Sequence, residues 1–267
     1  MPAGAALAAA AIPATNAAVP IAHRIRLERV MRSSVVVCSP TPIESTDRTA
    51  RLIGRGPVAR RAAARMRTRR GSAAVALHGG TLTRHDRVLD RERSLLLVID
   101  LQEGYRGKLH REETVIAAAR RTIEAAGILG IPVVVTEQYP KGVGATRAEI
   151  AEKLPAGAPR LEKTSFSALG ALAVVEALAR LGRDQIAIVG IETHVCVNQT
   201  VHDLLARGHA VHVLRDAITS RFPLEDEAGW SKIVGSGAVP TTSECALFEW
   251  LVDAKAPEFK AVHKLVV

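Results

Sequence analysis

The sequence predicts an α/β protein. A mostly parallel, doubly wound sheet carries helices on both faces in three αβα layers, behind an N-terminal extension of different character. Three observations predict it. From residue 93 onward, short uninterrupted apolar runs alternate with longer stretches of helical spacing. Polar residues able to do chemistry stand just beyond the runs, where such sheets bind ligands. Residues 1–92 show no sustained period and are rich in Ala, Arg and Pro.

The elements follow in order. "SLLLVID" (94–100) reads as a buried parallel strand, since no position alternates toward water. In "ETVIAAARRTIEAAGILG", Val115, Ile116, Ala119, Ile123 and Ala126 share a helical face, and Gly130 can end the helix. "IPVVVTE" (131–137) is a second strand, and "RLEKTSF" holds a short third. "SALGALAVVEALARLG" (167–182) is a helix closed by Gly. "QIAIVG" (185–190) is a strand, "VCVNQTVHDLLARG" (195–208) a helix and "HAVHVLRDA" (209–217) a strand. "LEDEAGWSKIVGSG" is helical, "AVPTTSE" is an edge strand, and "ECALFEWLVDA" and "PEFKAVHKLV" are closing helices. Right-handed crossovers between such strands cover both faces of the sheet.

Composition narrows the function. Residues 1–90 hold 15 Arg, no Lys and 5 acidic residues, a net charge of +10. Residues 91–267 hold 13 Arg, 8 Lys and 22 acidic residues, a net charge of −1. The folded part therefore offers no broad phosphate-binding field, and nucleic acid is not the expected partner. The extension is expected to be disordered, or to arise from reading upstream of a start at Met66 or nearby. Its opening lacks the basic segment of a secretory signal; an Arg-rich targeting presequence is the alternative. Cys38, Cys196 and Cys245 are too scattered for a disulfide framework or a zinc site, which fits a reducing cytoplasm. No apolar run reaches the roughly 18 residues of a membrane helix.

Three residues at strand ends attract attention. Asp100 closes "LLLVID", which puts a carboxylate on the sheet's rim unless it is only a cap. Lys163 follows the third strand, where a surface lysine is the plain alternative. Cys196 stands where a strand meets a helix, and free N–H groups and the helix dipole favour an anion there. The alternative is a small buried cysteine. Together they suit acyl transfer. A carboxylate takes a thiol proton, an ammonium balances charge, and a thiolate attacks a carbonyl carbon.

"LLLVIDLQEGY", "PVVVTEQYPKGVG", "LEKTSFSAL" and "IVGIETHVCVNQTVHDLLARGHAVHVLRDA", in this order and with the tail "GSGAVPTTSECALFEWLVDAKAPEFKAVHKL", resemble the isochorismatase-like cysteine hydrolase superfamily. They are most similar to its isochorismatase domain-containing branch, over about residues 93–267. The resemblance implies a Rossmann-like three-layer fold and an Asp–Lys–Cys triad at Asp100, Lys163 and Cys196. It also implies a cis peptide between Ile191 and Glu192, and an oxyanion hole from the N–H groups of Glu192 and Cys196. It further implies hydrolysis of an amide, imide or related small carbonyl compound through a thioester, and a homo-oligomer. Some members hold a metal near the second strand with an Asp-x-His pattern. "TEQYPKGVGATR" has no histidine, so neither a metal nor another cofactor is expected, and nicotinamide is not the expected substrate. An isochorismatase proper is the alternative enzyme, and a non-catalytic interaction protein keeping the fold is the alternative outside enzymes.

Other residues carry lesser expectations. Gln102, Tyr105, Tyr139 and Phe166 lie just past strand ends and are candidates to line a pocket, against plain packing. His194 invites a dyad with Cys196, but residues two apart in a turn rarely face one another. His202, His209, His212 and Cys245 are expected to be structural. Gly142 and Gly144 form a loop without a phosphate motif, and Trp230 and Trp250 serve packing.

Overall fold

The computed structural model describes residues 84–85 and 87–267, and the backbone of residues 75–77 and 80–82. Strand β1 (Val75–Leu77) pairs antiparallel with β2 (Gly80–Leu82). Most of the extension expected to be disordered lies outside the described residues, as do Cys38 and Met66. Packing begins slightly before residue 93. Leu89 is fully buried, and the Asp90 N–H donates to Gln185 Oε1 at 2.8 Å.

The main sheet has six strands, all parallel. They are β3 (Ser94–Ile99), β4 (Val133–Gln138), β5 (Arg160–Lys163), β6 (Gln185–Ile191), β7 (Ala210–Thr219) and β8 (Val239–Thr241), in spatial order β5-β4-β3-β6-β7-β8. All of β3 is buried, as its unbroken apolar run requires. Pro240 is tolerated in β8 because an edge strand need not donate from every N–H.

The helices are α1 (Glu112–Ile128), the short α2 (Pro140–Val143) and α3 (Ala148–Ala151), α4 (Leu172–Leu181) and α5 (Asn198–Ala206). They continue with α6 (Pro223–Gly235), α7 (Ser243–Leu251) and α8 (Phe259–His263). Alternation along the strands divides the core. Leu96, Val98, Val133, Val135, Ala187 and Val189 face α1, α7 and α8. Leu95, Leu97, Ile99, Val134, Ile186 and Ile188 face α4, α5 and Ile233 of α6. Ala118, Ala119, Ala125 and Ala126 are buried along α1, so small side chains there build a core that has few aromatics. Trp250 is fully buried and donates Nε1–H to Ser94 Oγ at 2.9 Å.

The chain runs from β3 outward to β5 and then returns to β6 on the other side of β3. The connections leaving β3 and β6 therefore diverge. In such sheets ligands bind beyond the carboxyl ends of two such neighbours, at the topological switch point. Two predicted helices start late. Residues 168–170 form a 3-10 turn before α4, and Thr193–Val197 form a π-helical turn before α5. With four residues each, α2 and α3 show no period that a sequence can reveal.

β6 touches β3 unusually closely. Gly190 has φ +133°, and a Cβ there would lie 2.1 Å from the Ile99 carbonyl oxygen. The β6–β7 register also shifts between Ile188 and Gly190, which re-aims the chain just before the rim. Gly190→Ala is expected to cost about 3 kcal/mol or more. Chemical denaturation checks this; an unchanged midpoint would refute the close approach.

His212 on β7 is fully buried, and among the described residues neither ring nitrogen has a hydrogen-bond partner. Burial, aided by Arg87 and Arg93, pushes its pKa down from 6.5 to about 4. The unfolded chain thus takes up a proton that the folded protein refuses. Stability is greatest above the ordinary imidazole value and falls as pH drops through the window between 6.5 and about 4. His212→Leu is expected to flatten this slope, read as melting temperature against pH beside the parent protein. Equal slopes in the two proteins would contradict it.

Candidate active site

β3 delivers Asp100 straight to the rim. Its backbone turns into the left-handed region (φ 54°), which Asp tolerates better than most residues. The carboxylate is buried, and Oδ1 accepts from Thr136 Oγ1 at 2.8 Å. Oδ2 accepts from Lys163 Nζ at 2.7 Å. Lys163 ends β5, two strands away from β3, and its side chain is fully enclosed. Nζ also donates to Gln138 Oε1 at 2.6 Å and to the carbonyls of Ser165 and Phe166, each at 3.2 Å. The surface-lysine alternative is thereby removed. A buried amine with this many acceptors is fixed in place.

Cys196 lies in the π-helical turn after β6, 5% exposed. Asp100 and Lys163 are the charged side chains that act on its thiol. The sequence suggested a thiol that ionises easily at a helix start. The structure reverses this for the resting protein. Burial, followed by the negative charge of Asp100, pushes the thiol up to about 12, and Lys163 offsets only part of that. The helix proper starts at Asn198, past the cysteine. At rest the proton therefore stays on sulfur.

The turn carrying Cys196 is pinned from several sides. The Ile191–Glu192 peptide is cis, as the resemblance implied. Val195 and Val197 donate their N–H groups to the Glu192 carbonyl. Glu192 Oε2 accepts from both the N–H and Nε of Arg221, each at 3.0 Å. Thr193 is fully buried and donates Oγ1–H to Asp226 Oδ1 at 2.6 Å. Burial alone raises the Asp226 carboxyl, but Arg215, Thr193 and Arg111 together hold it below its usual value. His194 meets Ser220 Oγ at 2.9 Å and Glu225 at 3.9 Å, so its ring nitrogens are engaged away from the thiol.

The pocket candidates separate. Tyr105 is half-buried against the core. Burial, then the charges of Glu192, Cys196 and Asp100, raise its hydroxyl. Tyr139 and Phe166 are each 54% exposed on the rim. Tyr139, Pro140, Glu162, Lys163, Ser165 and Gly170, among others, line a cleft of about 380 Å³; Phe166, Asp100 and Cys196 are not among its lining residues. Gln102, expected to line a pocket, is instead taken up by backbone contacts. It is fully buried, and its amide donates to the carbonyls of Gln138 (3.0 Å) and Gly144 (2.6 Å) and accepts from the Gln138 N–H (2.7 Å). It clamps two loops and leaves no donor for a ligand. A larger cleft, about 470 Å³, lies at the opposite end of the strands near Gly130, Pro132 and Pro159. Its only ionisable lining residue is Arg180, so it lacks reacting groups.

Sequence reasoning missed Thr136 and Gln138, which support Asp100 and Lys163. Their two-residue spacing at the end of an otherwise apolar strand was the available signal. It also missed Asp226, Arg111 and Arg215, which no local pattern connects to Cys196. Among the described residues, no group of three or more His, Cys, Asp or Glu is placed to hold a metal ion. No described helix is long and apolar enough to cross a membrane.

Fold and site together define a three-layer α/β protein with a carboxylate, an ammonium and a thiol gathered at the switch point of a parallel sheet. The chain belongs to the isochorismatase family, an isochorismatase-like hydrolase fold: the Isochorismatase domain matches residues 94–245. Isochorismatase domain-containing protein 2 of Danio rerio is 37% identical over 179 residues, 67% of this chain and 89% of that protein. Isochorismatase domain-containing protein 1 of the same fish is 36% identical over 175 residues. That match spans 65% of this chain and only 60% of the relative's length. Among solved structures, the MAR1 ribonuclease of Caenorhabditis elegans is 38% identical with a TM-score of 0.64, covering 67% of this chain and 92% of that one. The YcaC gene product of Escherichia coli, an octameric hydrolase of unknown specificity, shares the fold (21% identity, TM-score 0.63, 67% of this chain and 88% of that one).

Because Asp100 raises the thiol, Asp100→Asn is expected to lower the pH midpoint of Cys196 alkylation by iodoacetamide by about one pH unit or more. Asn accepts the left-handed backbone, so the turn survives. Alkylation rate against pH checks this, and an upward shift would contradict the electrostatic assignment.

Proposed function

We propose that this chain is a cysteine hydrolase cleaving a small amide, imide or related carbonyl compound through a thioester on Cys196. The observation that carries the reading is the enclosed Asp100–Lys163 pair, 2.7 Å apart, beside a protonated thiol. Asp100 takes the Sγ proton as sulfur bonds to the carbonyl carbon. Lys163 stabilises the charge left on the site, and the N–H groups of Glu192 and Cys196 receive the oxyanion. Collapse of that adduct expels the amine, which takes the proton from Asp100. Water, deprotonated by Asp100, then attacks the thioester, releasing the acid and restoring the thiol.

Isochorismate is the less favoured substrate, since cleaving its enol ether needs no acyl-accepting sulfur. The ribonuclease name of the Caenorhabditis elegans relative brings RNA into the comparison. A net charge of −1 over residues 91–267 gives a polyanion little to follow. The assembly is a homo-oligomer in this reading, as the octameric relative suggests. A reducing cytoplasm keeps the thiols of Cys196 and Cys245 free.

The test is a panel of small amides and imides, with isochorismate and single-stranded RNA alongside, on the full chain and on Cys196→Ala. Turnover of an amide or imide, reduced at least about a thousandfold in the variant, is expected. Pyruvate release from isochorismate would favour the alternative enzyme. RNA cleavage unaffected by the substitution, or amide and imide turnover equal in the parent protein and Cys196→Ala, would remove the reading.

A further inference from the structure

We propose that Asp226 is a positioning residue for acyl transfer, acting through the Thr193 hydroxyl to hold the turn whose N–H groups meet the oxyanion. The inference rests on the hydrolase reading above and goes beyond its triad.

Asp226 is 2% exposed and is itself held firmly. Arg215 binds both of its oxygens, at 3.1 and 2.9 Å, and Arg111 binds Oδ2 at 3.1 Å. Each arginine has a separate hold elsewhere. Arg111 also donates to the Ile218 carbonyl at 3.3 Å, and Arg215 stacks 5.1 Å over Trp230. The carboxylate is thus a rigid point tied to the start of α1, to β7 and to α6.

Against that point rests Thr193, one residue after Glu192 and three before Cys196. Its hydroxyl is the inward tether of the turn, and Ser220 holds the next residue, His194, at 2.9 Å. Helix α6 presses on the same backbone. A Cβ at Gly229 would lie 2.6 Å from His194 Cα, so only glycine permits this approach. A turn pinned at consecutive residues has little freedom to rotate its peptide planes. That is the requirement of an oxyanion hole, whose N–H groups must already point at an oxygen that exists only during reaction.

Thr193→Val deletes the tether while keeping shape, and leaves Asp226 with its arginines. Thr193→Ser restores the hydroxyl. Two readouts on the full chain separate positioning from general support. The first is the rate of Cys196 alkylation by iodoacetamide, which reports the thiol and Asp100 but forms no oxyanion. The second is protection of Cys196 by propionaldehyde. Its carbonyl carbon bonds reversibly to sulfur, and the thiol proton passes to the former carbonyl oxygen, which occupies the hole.

The expected result is an alkylation rate within about twofold of the parent in both variants. Propionaldehyde protection should weaken about tenfold in Thr193→Val and return in Thr193→Ser. Where a substrate is in hand, kcat should fall by a similar factor with KM nearly unchanged. Parent-like protection in Thr193→Val would overturn the proposal, as would alkylation and protection falling together without rescue by Ser. A parent protein that propionaldehyde does not protect, though iodoacetamide labels it, would remove the acyl-transfer reading and this inference with it.

Discussion

The ion pair between Asp100 and Lys163 is the constraint on which the rest of the structure depends. Two charges enclosed by protein lose their hydration, and attraction alone does not always offset that loss. Here the remaining hydrogen-bonding capacity is met by Thr136, by Gln138 and by the carbonyls of Ser165 and Phe166. Those groups come from β4 and from the segment after β5. The ends of β3, β4 and β5 must therefore finish at one level for the pair to exist. The parallel sheet and its buried central strand supply that alignment.

The thiol arrives from the other side of the switch point. β6 reaches the rim only because Gly190 lets it pass close to Ile99. Beyond it, the chain is held by Arg221 at Glu192, by Asp226 at Thr193 and by Ser220 at His194. The two halves of the site thus have separate scaffolds, one a sheet edge and the other a clamped turn. Chemistry is possible only where they meet.

Much of this was legible in the sequence because the signals were local. "LLLVID" marked both a buried strand and the carboxylate at its end, and "IVGIETHVC" marked the strand and turn leading to sulfur. Lys163 stood out only beside the other two, since a lysine near a chain bend is ordinarily solvated. What escaped was non-local or needed electrostatics. Asp226 lies 30 positions after Cys196 in a helix that reads as an ordinary amphipathic surface element. Gln102 looked like lining because it follows a strand end, but its amide faces two backbone loops. The thiol's ionisation was misjudged because its helix proper begins two residues later and because burial and Asp100 oppose the charge.

The high resting value of the Cys196 thiol has a consequence for durability. Peroxides attack sulfur mainly as thiolate, so a cysteine kept protonated at rest resists conversion to sulfenic acid. Among the described residues, exposed Cys245, on the first turn of α7, is the thiol that oxidants and alkylating compounds in the medium meet directly. The burial and negative charge that slow ionisation thereby shield this sulfur from the oxidants that reach the surface.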